Sequence, residues 1–359
     1  METKVKLNNK VLLQDKTYIV LEAGPTHEGI ESAKRLASMA KKCGADSIKF
    51  QMADIDRLMA DKSMNFEYKY LHINKENKEE FIKFEEPLYD ILKRRELSKD
   101  EWKQLKDYCD KLGLHMFTTA CFKDEIDFAV NELKIDSIKI ASSDIGEEDL
   151  IRYAASKGIN IQIDTGNSNL WEIEKAVNII QNQKNNNIII HHCPSGYPAK
   201  LESINLKMIP TLKKMFPEFI IAYSDHSPGW EMDIAAISLG ANMIEKTITE
   251  DRTIRSCEHS FSLEEHQIND FIVSIRNLET ALGVNRRIIP SFVQDKRKAT
   301  RRSPYALKNL KKGSIIQLKD FDMRRPGNGL NFADFSSFNG LELKREIMEG
   351  ELLTKNHFE

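Results

Sequence analysis

The chain has 359 residues and a mass of 41.3 kDa, and 41% of its side chains are hydrophobic, so it can bury a large core and exceeds one small domain. The 53 basic and 55 acidic residues give a formal net charge of -2, which excludes the broad positive surface of a nucleic-acid-binding protein. Five cysteines without a Cys-X-X-Cys pair argue against a disulfide framework, and no apolar run is long enough to span a bilayer. We therefore expect a two-domain cytoplasmic protein with reduced thiols.

Short apolar runs alternate with amphipathic stretches from Tyr18 to about residue 281. The runs are typical of strands buried on both faces, and Ser98-Lys-Asp-Glu101 fits the capping box that starts a helix. A first helix is expected near 30–43 and a last one over 263–281. The predicted strands are 18–22, 46–51, 114–119, 137–141, 159–164, 187–192, 219–226 and 240–246. Eight strand-helix units predict a (β/α)8 barrel, and a doubly wound open sheet is the alternative because periodicity does not show closure.

Two segments break this alternation. Residues 53–85 are charged, and we interpret them as a lid over the barrel mouth, with a solvated insert as the alternative. Residues 284–302 are rich in Arg and Lys without apolar periodicity, which predicts a linker. Residues 303–359 combine short apolar runs with tight turns, typical of a small, mostly β domain. The predicted domains are a barrel over 1–283, the linker over 284–302 and the small domain over 303–359.

Nearly every predicted strand ends in a polar side chain, and the C-terminal strand ends of a barrel converge on one mouth. Such a ring is costly to bury without a ligand or mutual pairing. Lys49 and Lys139, with nearby hydroxyls, would suit a phosphorylated acid; the alternative is internal ion pairs with Glu22 or Asp164. The polar strand ends are Glu22, Lys49, Gln51, Thr118, Thr119, Lys139, Ser142, Ser143, Asp164, Thr165, His191, His192, Ser224, Asp225, His226, Glu245 and Lys246.

The histidines at the strand ends are ambiguous by themselves. His226 could bind a divalent metal through one nitrogen, or it could be a core histidine bonded to backbone. His191 and His192 are neighbours on one strand, so their side chains alternate and at most one faces the mouth.

An ordered set of short motifs resembles the sialic acid synthase family over nearly the whole chain. The resemblance implies a barrel with a C-terminal antifreeze-like, or SAF, domain. It also implies condensation of phosphoenolpyruvate with an open-chain N-acyl hexosamine, phosphate release, a divalent metal (manganese, with magnesium as the alternative), and a domain-swapped homodimer. The motifs are Glu22-Ala-Gly24, His27-Glu-Gly29, Ile48-Lys-Phe-Gln51, Tyr223-Ser-Asp-His226, Glu245-Lys246 and Arg325-Pro-Gly-Asn-Gly329.

The same resemblance implies roles for individual residues. Glu22 would handle protons, Lys49 and Lys139 would hold phosphoenolpyruvate at the reacting centre, and the guanidinium of Arg325 would hold the acylamino group of a sugar bound by the partner subunit. His226 would bind the metal. The implied substrate contacts are Thr119 and Ser142 for phosphoenolpyruvate and Gln51, Tyr197 and Asp225 at the substrate site.

Several positions depart from the family pattern. Thr247 stands where a second metal-binding His is usual, and we hypothesise that His259 supplies that imidazole while Glu258 replaces a sugar-binding Asp. Asp164 stands where a Ser commonly contacts phosphoenolpyruvate, and its carboxylate would repel an anion unless it is neutralised. Thr26 replaces a common Asn. The leading hypothesis is a nonulosonic acid synthase; the alternatives are a catalytically silent sugar-phosphate-binding barrel and a synthase acting on a different aldose.

Overall fold

Eight parallel strands close into a barrel, which confirms the predicted (β/α)8 fold over the open sheet. The structure is a computed structural model that describes residues 5–7, 10–12, 16–284 and 286–359. Each strand pairs with its neighbours in chain order, and the eighth pairs with the first, where Thr247 lies opposite Glu22. The strands are β1 Tyr18–Glu22, β2 Ser47–Met52, β3 His115–Ala120, β4 Ser137–Ile140, β5 Asn160–Asp164, β6 Ile188–His192, β7 Ile220–Asp225 and β8 Met243–Thr247.

Helices pack around the barrel and bury their apolar faces against the strands. Ser98 and Glu101 form the predicted capping box, in which each side chain accepts a hydrogen bond from the other residue's backbone N–H. The α-helices are Ile30–Cys43, Ile55–Leu58, Leu88–Lys93, Lys99–Leu112, Lys123–Asp127, Glu148–Ser156, Leu170–Asn182, Leu201–Ile204, Met208–Met215, Glu231–Ser238 and Glu265–Leu282. A π-helical turn spans Phe128–Glu132, and 3-10 turns span Ser142–Asp144 and His259–Phe261. No helix in the described ranges is long and apolar enough to cross a membrane.

In the described part of residues 1–283, two antiparallel strand pairs lie outside the barrel sheet. A short one pairs Val5–Leu7 with Lys10–Leu12. The longer one pairs Asn65–Ile73 with Glu79–Pro87 within and just beyond the charged segment predicted as a lid or insert. Tyr68 of this hairpin is buried in a cluster with Ile91 and Cys257. The segment is therefore an ordered hairpin, one side of which packs against the chain that follows β8.

The chain divides into two compact units, residues 1–283 and 284–359. The second unit has its own apolar core and a two-stranded sheet, Ser303–Ala306 with Phe321–Arg324. It also contains the α-helices Ser291–Thr300 and Phe332–Ser337 and the 3-10 turns Leu318–Asp320 and Lys355–His357. Helix Ser291–Thr300 lies in the segment predicted as a linker. It buries none of its residues, so it lacks the apolar periodicity by which the sequence could have indicated a helix.

Candidate active site

Three charged side chains from alternate strands meet inside the barrel. Lys49 of β2 and Lys139 of β4 both donate to Oε1 of Glu245 on β8, at 3.0 and 2.8 Å. All three are almost completely buried. A parallel strand turns successive side chains to opposite faces, and barrel interiors are filled by layers drawn from alternate strands. The strand periodicity therefore places both lysines around one carboxylate on the barrel axis.

Side chains from the odd-numbered strands complete the site. Glu22 at the end of β1 ion-pairs with Lys49 and also accepts the backbone N–H of Gly24 at 2.6 Å. Lys139 contacts Asp164 Oδ2 at 2.9 Å and Ser224 Oγ at 3.3 Å. The predicted ion pairs of the lysines with Glu22 and Asp164 are thus present. The two lysines also meet in one site, as the strand ends predicted, because both bind Glu245.

A close backbone approach supports the position of Glu22. A Cβ atom at Gly24 would lie 2.7 Å from Glu22 Oε1 and 2.8 Å from the backbone nitrogen of Gln51. Since a side chain there would displace the carboxylate or the β2 backbone, the Glu-Ala-Gly motif has a structural reason for its glycine.

Burial and charge set the protonation of this cluster. Burial lowers the pKa of Lys49 despite the neighbouring Glu245 carboxylate. Burial would also lower the pKa of Lys139, but Asp164 and Glu245 outweigh it and raise that pKa. Burial raises the pKa of Asp164, against the opposing effect of Lys139. Burial would raise the pKa of Glu245, but the two lysines hold it well below its usual range. The carboxylate between the lysines is therefore ionised, whereas burial favours the protonated form of Asp164.

Acceptor atoms remain unpaired in this interior. Asp164 Oδ1 and Glu245 Oε2 are buried and have no hydrogen-bond partner among the described residues. A buried unpaired acceptor costs about 1 to 3 kcal/mol. The site is thus arranged for a further donor or a proton that the free chain does not supply.

His226 lies just after β7 with its ring against Tyr197. The ring centroids are 4.7 Å apart, and Nδ1 lies 3.2 Å from the carbonyl oxygen of Pro194. An Nδ1–H donor to this carbonyl leaves the lone pair on Nε2, the tautomer that suits a metal ligand. Burial lowers the pKa of His226 to about 4, so the imidazole is neutral near pH 7.

Glu258 approaches the same charged cluster from the segment after β8. Burial raises its pKa to about 7, and Arg95 and Lys49 oppose that rise. His259 follows on a 3-10 turn, where its Nδ1 lies 2.7 Å from the Thr249 hydroxyl. Glu258 therefore belongs to the surroundings of the lysines, whereas His259 is held by a neighbouring hydroxyl.

The remaining predicted contacts occupy different positions. Thr119 of β3 lies beside Lys139 of β4 in register, and Gln51 is exposed at the end of β2. Ser142 starts the 3-10 turn after β4. Arg325 is exposed in the second compact unit.

Asp225, predicted as a substrate contact, does not join the cluster. Its carboxylate ion-pairs with Lys246 and accepts the Tyr223 hydroxyl at 2.8 Å and the backbone N–H of Ser227 at 3.0 Å. Lys246 also lies 3.5 Å from Asp233 of helix Glu231–Ser238. Asp225 and Lys246 follow the inward-facing Ser224 and Glu245, so they project from the opposite face of the sheet. This ion-pair network fixes the end of β7 from outside the barrel.

Models of known families match both compact units. One described as the NeuB family matches residues 36–287, and one described as the SAF domain matches residues 301–359. The chain belongs to the NeuB family. This agrees with the family resemblance drawn from the ordered motifs.

Several NeuB-type relatives extend over most of the chain. The N,N'-diacetyllegionaminic acid synthase of Legionella pneumophila is 30% identical over 347 residues, covering 95% of this chain and 94% of the relative. The pseudaminic acid synthase of Campylobacter jejuni serotype O:23/36 is 30% identical over 350 residues, covering 96% and 97%. The human N-acetylneuraminate-9-phosphate synthase is 31% identical over 273 residues, covering 75% and 72%. The relatives thus share the framework and differ in the acid for which they are named.

Solved structures support the same assignment. The sialic acid synthetase of Leptospira borgpetersenii, crystallised with citrate, has a TM-score of 0.70 and 28% identity, covering 82% of this chain and 95% of that one. A spore coat polysaccharide biosynthesis protein from Chromobacterium violaceum has a TM-score of 0.74 at 17% identity, covering 96% and 100%, and shows the shared fold.

The NeuB-family resemblance implies a divalent metal, but the chain offers only part of a site for one. Within the described ranges, no three His, Cys, Asp or Glu side chains converge to hold a metal ion. His226 supplies one imidazole, while the Thr247 hydroxyl is a poor ligand and the His259 ring is engaged by Thr249. The described residues therefore form only part of a metal site, and water or substrate oxygens would have to supply the other ligands.

Sequence reasoning gave little weight to one side chain that the structure places in the interior. His191 is completely buried, and the charges of Lys139, Glu245 and Lys49 all act on its imidazole. His192 faces outward and contacts the carbonyl of Ile204. This confirms that at most one of the two histidines faces the interior. Side chains alternate along a strand, so the sequence left either histidine as the inward-facing one. The register of β6 in the closed barrel turns His191 inward.

Proposed function

We propose that this chain condenses phosphoenolpyruvate with an open-chain N-acyl hexosamine, releasing phosphate and forming a nonulosonic acid. The observation that carries the proposal is the pair of buried lysines, Lys49 and Lys139, held around Glu245. They also pair with Glu22 and Asp164, the last residues of β1 and β5, at the C-terminal end of the barrel. Active sites of this fold lie at that end of the barrel. Two ammonium groups in a water-poor interior suit a substrate that carries both a carboxylate and a phosphate.

The reaction makes one carbon–carbon bond and one carbon–oxygen bond to water, and it breaks the carbon–oxygen bond to phosphate. Carbon 3 of phosphoenolpyruvate attacks the aldehyde carbon of the sugar, whose oxygen becomes a hydroxyl. Water loses one proton as it adds at carbon 2, and that proton is passed on to the former aldehyde oxygen. The carbon 2–oxygen bond to phosphate then breaks, the second water proton leaves with the phosphate, and the water oxygen becomes the ketone oxygen. Lys49 and Lys139 stabilise the phosphate as it gains charge. Glu22 accepts the proton, because its carboxylate is buried beside Lys49 and oriented by the Gly24 N–H.

The sugar is proposed to lie between the charged cluster and the side chains at its rim. Tyr197 and Gln51 are exposed enough to contact it, and Glu258 replaces the usual Asp. Arg325 is proposed to come from the partner subunit of a homodimer and to hold the acylamino group with its planar guanidinium. The named relatives suggest sugar precursors of the legionaminic, pseudaminic and N-acetylneuraminic classes.

The metal remains a separate part of the proposal. His226 is the residue that would hold a divalent cation, manganese or magnesium, and such ions commonly complete their coordination with water and substrate oxygens. A bound cation would polarise the sugar aldehyde. His259 is proposed as its second imidazole through Nε2, because Nδ1 contacts the Thr249 hydroxyl. Metal content after dialysis, compared among the parent, His226→Ala and His259→Ala, tests both ligands without relying on activity; an unchanged content in His259→Ala would remove that residue from the site.

We also propose that the enzyme works in the cytoplasm, where its five cysteines would stay reduced.

A panel assay tests the function. Purified chain is mixed with phosphoenolpyruvate, manganese and one of several N-acyl hexosamines, their 6-phosphates or non-acylated aldoses, and released phosphate is measured. We expect release with at least one acylated sugar and none with Lys139→Met. Tight phosphoenolpyruvate binding without release from any mixture would contradict the synthase and favour a silent sugar-phosphate-binding barrel. Release only with non-acylated sugars would indicate a different aldose as substrate.

A further inference from the structure

The charged layer of the barrel has a fourth member that the proposed reaction leaves unused. Lys49, Lys139 and Glu245 come from the even-numbered strands β2, β4 and β8, and the remaining even strand, β6, contributes His191. A (β/α)8 interior is built from layers of four side chains from alternate strands, so His191 completes this layer. It is completely buried, and its charged neighbours are the other three members.

A hydrogen-bond chain fixes which nitrogen of His191 carries the proton. Nε2 lies 2.7 Å from Gln162 Oε1, an atom that only accepts, so Nε2 is the protonated nitrogen. The Gln162 amide is oriented in turn, because its Nε2 donates to Ser137 Oγ at 2.8 Å and Ser137 donates to Asn160 Oδ1 at 2.9 Å. The lone pair of the neutral imidazole is therefore on Nδ1.

Nδ1 of His191 has no hydrogen-bond partner among the described residues, although it is buried in a polar interior. Burial lowers the pKa of His191, and Lys139 and Lys49 lower it further. Nδ1 therefore stays unprotonated and needs a hydrogen-bond donor. An unpaired acceptor beside two ammonium groups calls for an N–H donor. In the free chain the three protons of Lys139 have three acceptors, Glu245, Asp164 and Ser224.

We propose that His191 is a positioning residue for Lys139, an inference that rests on the proposed function. When an anionic substrate draws the ammonium away from Asp164 and Ser224, Nδ1 of His191 accepts one of its N–H groups. The imidazole then holds Lys139 in the orientation that binds phosphoenolpyruvate, without adding a charge to the layer.

Paired substitutions separate the two nitrogens of the ring. His191→Asn keeps an acceptor near the Nδ1 position, whereas His191→Gln keeps a group near Nε2 that reaches Gln162 and removes the Nδ1 acceptor. We expect His191→Gln to weaken phosphoenolpyruvate binding, measured by calorimetry without sugar, about 10- to 100-fold, since a hydrogen bond to a charged group is lost. His191→Asn should bind within about threefold of the parent. KM for phosphoenolpyruvate should rise more than kcat falls in His191→Gln.

His192→Gln is the matched control. This residue is the next in the strand and is also buried. Its ring stacks on Tyr223 outside the charged layer, and its Nε2 contacts the Ile204 carbonyl, a bond that Gln can keep. Its affinity should equal that of the parent. If His191→Gln binds like the parent, or if His191→Asn binds as weakly as His191→Gln, the proposal is overturned.

A second measurement does not depend on the proposed substrate, and its main result comes from the parent chain. Nitrogen-15 spectra of histidine-labelled whole protein report the tautomer of each ring. His191 should be neutral with the proton on Nε2 at pH 7, and Ser137→Ala, which removes the acceptor that orients Gln162, should shift its signal. A protonated ring, or a proton on Nδ1, would overturn the proposal even if phosphoenolpyruvate proved not to bind. Failure of the parent to bind phosphoenolpyruvate would instead refute the proposed function.

Discussion

Individual side chains in the barrel interior are held by shared partners. Oε1 of Glu245 accepts from both Lys49 and Lys139 and lies 3.2 Å from the Ser224 hydroxyl, while Oε2 has no partner in the described structure. A buried ion pair contributes little net stability, because desolvation offsets the attraction, but removing one member leaves a buried uncompensated charge. The lysines are thus held by groups that a substrate can replace. Removing either lysine should strongly destabilise the folded chain.

The first prediction concerns Lys139→Met, which keeps the length of the side chain but removes its charge. Asp164 and Glu245 would then share only Lys49 as a nearby cation, so we expect destabilisation of about 3 to 5 kcal/mol in denaturant unfolding. Phosphate release should fall at least about 1,000-fold, because the leaving phosphate loses a charged partner.

The control for this substitution is Lys103→Met, which removes an exposed ion pair with Glu132. Exposed ion pairs contribute little to stability because water and salt screen them, so the control should unfold like the parent. Equal stability of the two variants would show that Lys139 is not part of a tightly paired interior.

The second prediction concerns the pH dependence contributed by Glu258. Its pKa is raised to about 7, so between the unfolded value near 4.5 and pH 7 the folded chain keeps a proton that the unfolded chain loses. Its contribution to stability is therefore present at low pH and is lost as pH rises through this window. Glu258→Gln cannot lose this proton, so its free energy of unfolding does not fall in this way. The difference in free energy of unfolding, variant minus parent, should rise by about 1 to 3 kcal/mol from pH 5 to pH 8.

Unfolding midpoints at pH 5 and pH 8 check this sign. The exposed Glu28 provides a control, since Glu28→Gln corrects for the removal of one surface carboxyl. A relative stability of Glu258→Gln that falls between pH 5 and pH 8 would mean that the carboxylate is stabilised in the folded chain.

Secondary-structure elements were the part of this chain that the sequence predicted best. All eight predicted strands occur within a few residues of their expected bounds, because each is a short apolar run between polar segments. Register was harder to predict: the polar ends of β6 and β7 each offered neighbouring candidates on opposite faces. Closure of the barrel turns His191 and Ser224 inward and His192 and Asp225 outward, which depends on pairing with distant strands.

The third prediction tests whether the long hairpin positions the segment that carries Glu258. Tyr68 is buried against Cys257, the residue before Glu258, and its hydroxyl donates to Glu86 at 2.6 Å. Tyr68→Ala opens a cavity beneath that segment. We expect KM for the sugar to rise about tenfold while KM for phosphoenolpyruvate changes less than about twofold, because only the sugar contact is displaced.

Phe81→Ala is the matched control on the same hairpin, since its ring is 56% exposed. It should leave both KM values unchanged. An equal rise in both KM values for Tyr68→Ala would indicate general damage to the barrel, and no change in either would show that the hairpin does not position the sugar contact.

At the scale of the whole molecule, the order of the motifs identified the family, while the assembly lies beyond what one chain specifies. The barrel residues Glu22, Lys49 and Lys139 are gathered by a single closed sheet, so strand order was sufficient to predict their meeting. Arg325 is in a separate compact unit and is exposed there. The role proposed for this side chain carries a requirement for a second copy of the chain, whose packing the strand pattern does not encode.

The fourth prediction tests that requirement by complementation. Arg325→Ala keeps an intact barrel, and Lys139→Met keeps an intact Arg325, so each homodimer should be nearly inactive. If Arg325 serves the partner's barrel, a heterodimer has one complete site, in which the barrel of the Arg325→Ala chain receives Arg325 from the Lys139→Met chain. Co-refolding equal amounts makes half of the dimers mixed, and phosphate release should recover to about a quarter of the parent value.

The recovered activity must depend on exchange between subunits. Mixing the two folded proteins without unfolding should give no recovery if the dimer exchanges slowly, and differently tagged chains should purify together only after co-refolding. Were Arg325 to act within its own chain, every site in the mixed dimer would lack either Arg325 or Lys139, and co-refolding would restore nothing. If Arg325 acts in the partner's barrel, phosphate release recovers to about a quarter of the parent value; if it acts in its own chain, release stays at about zero. This difference is clear whatever the size of either single defect.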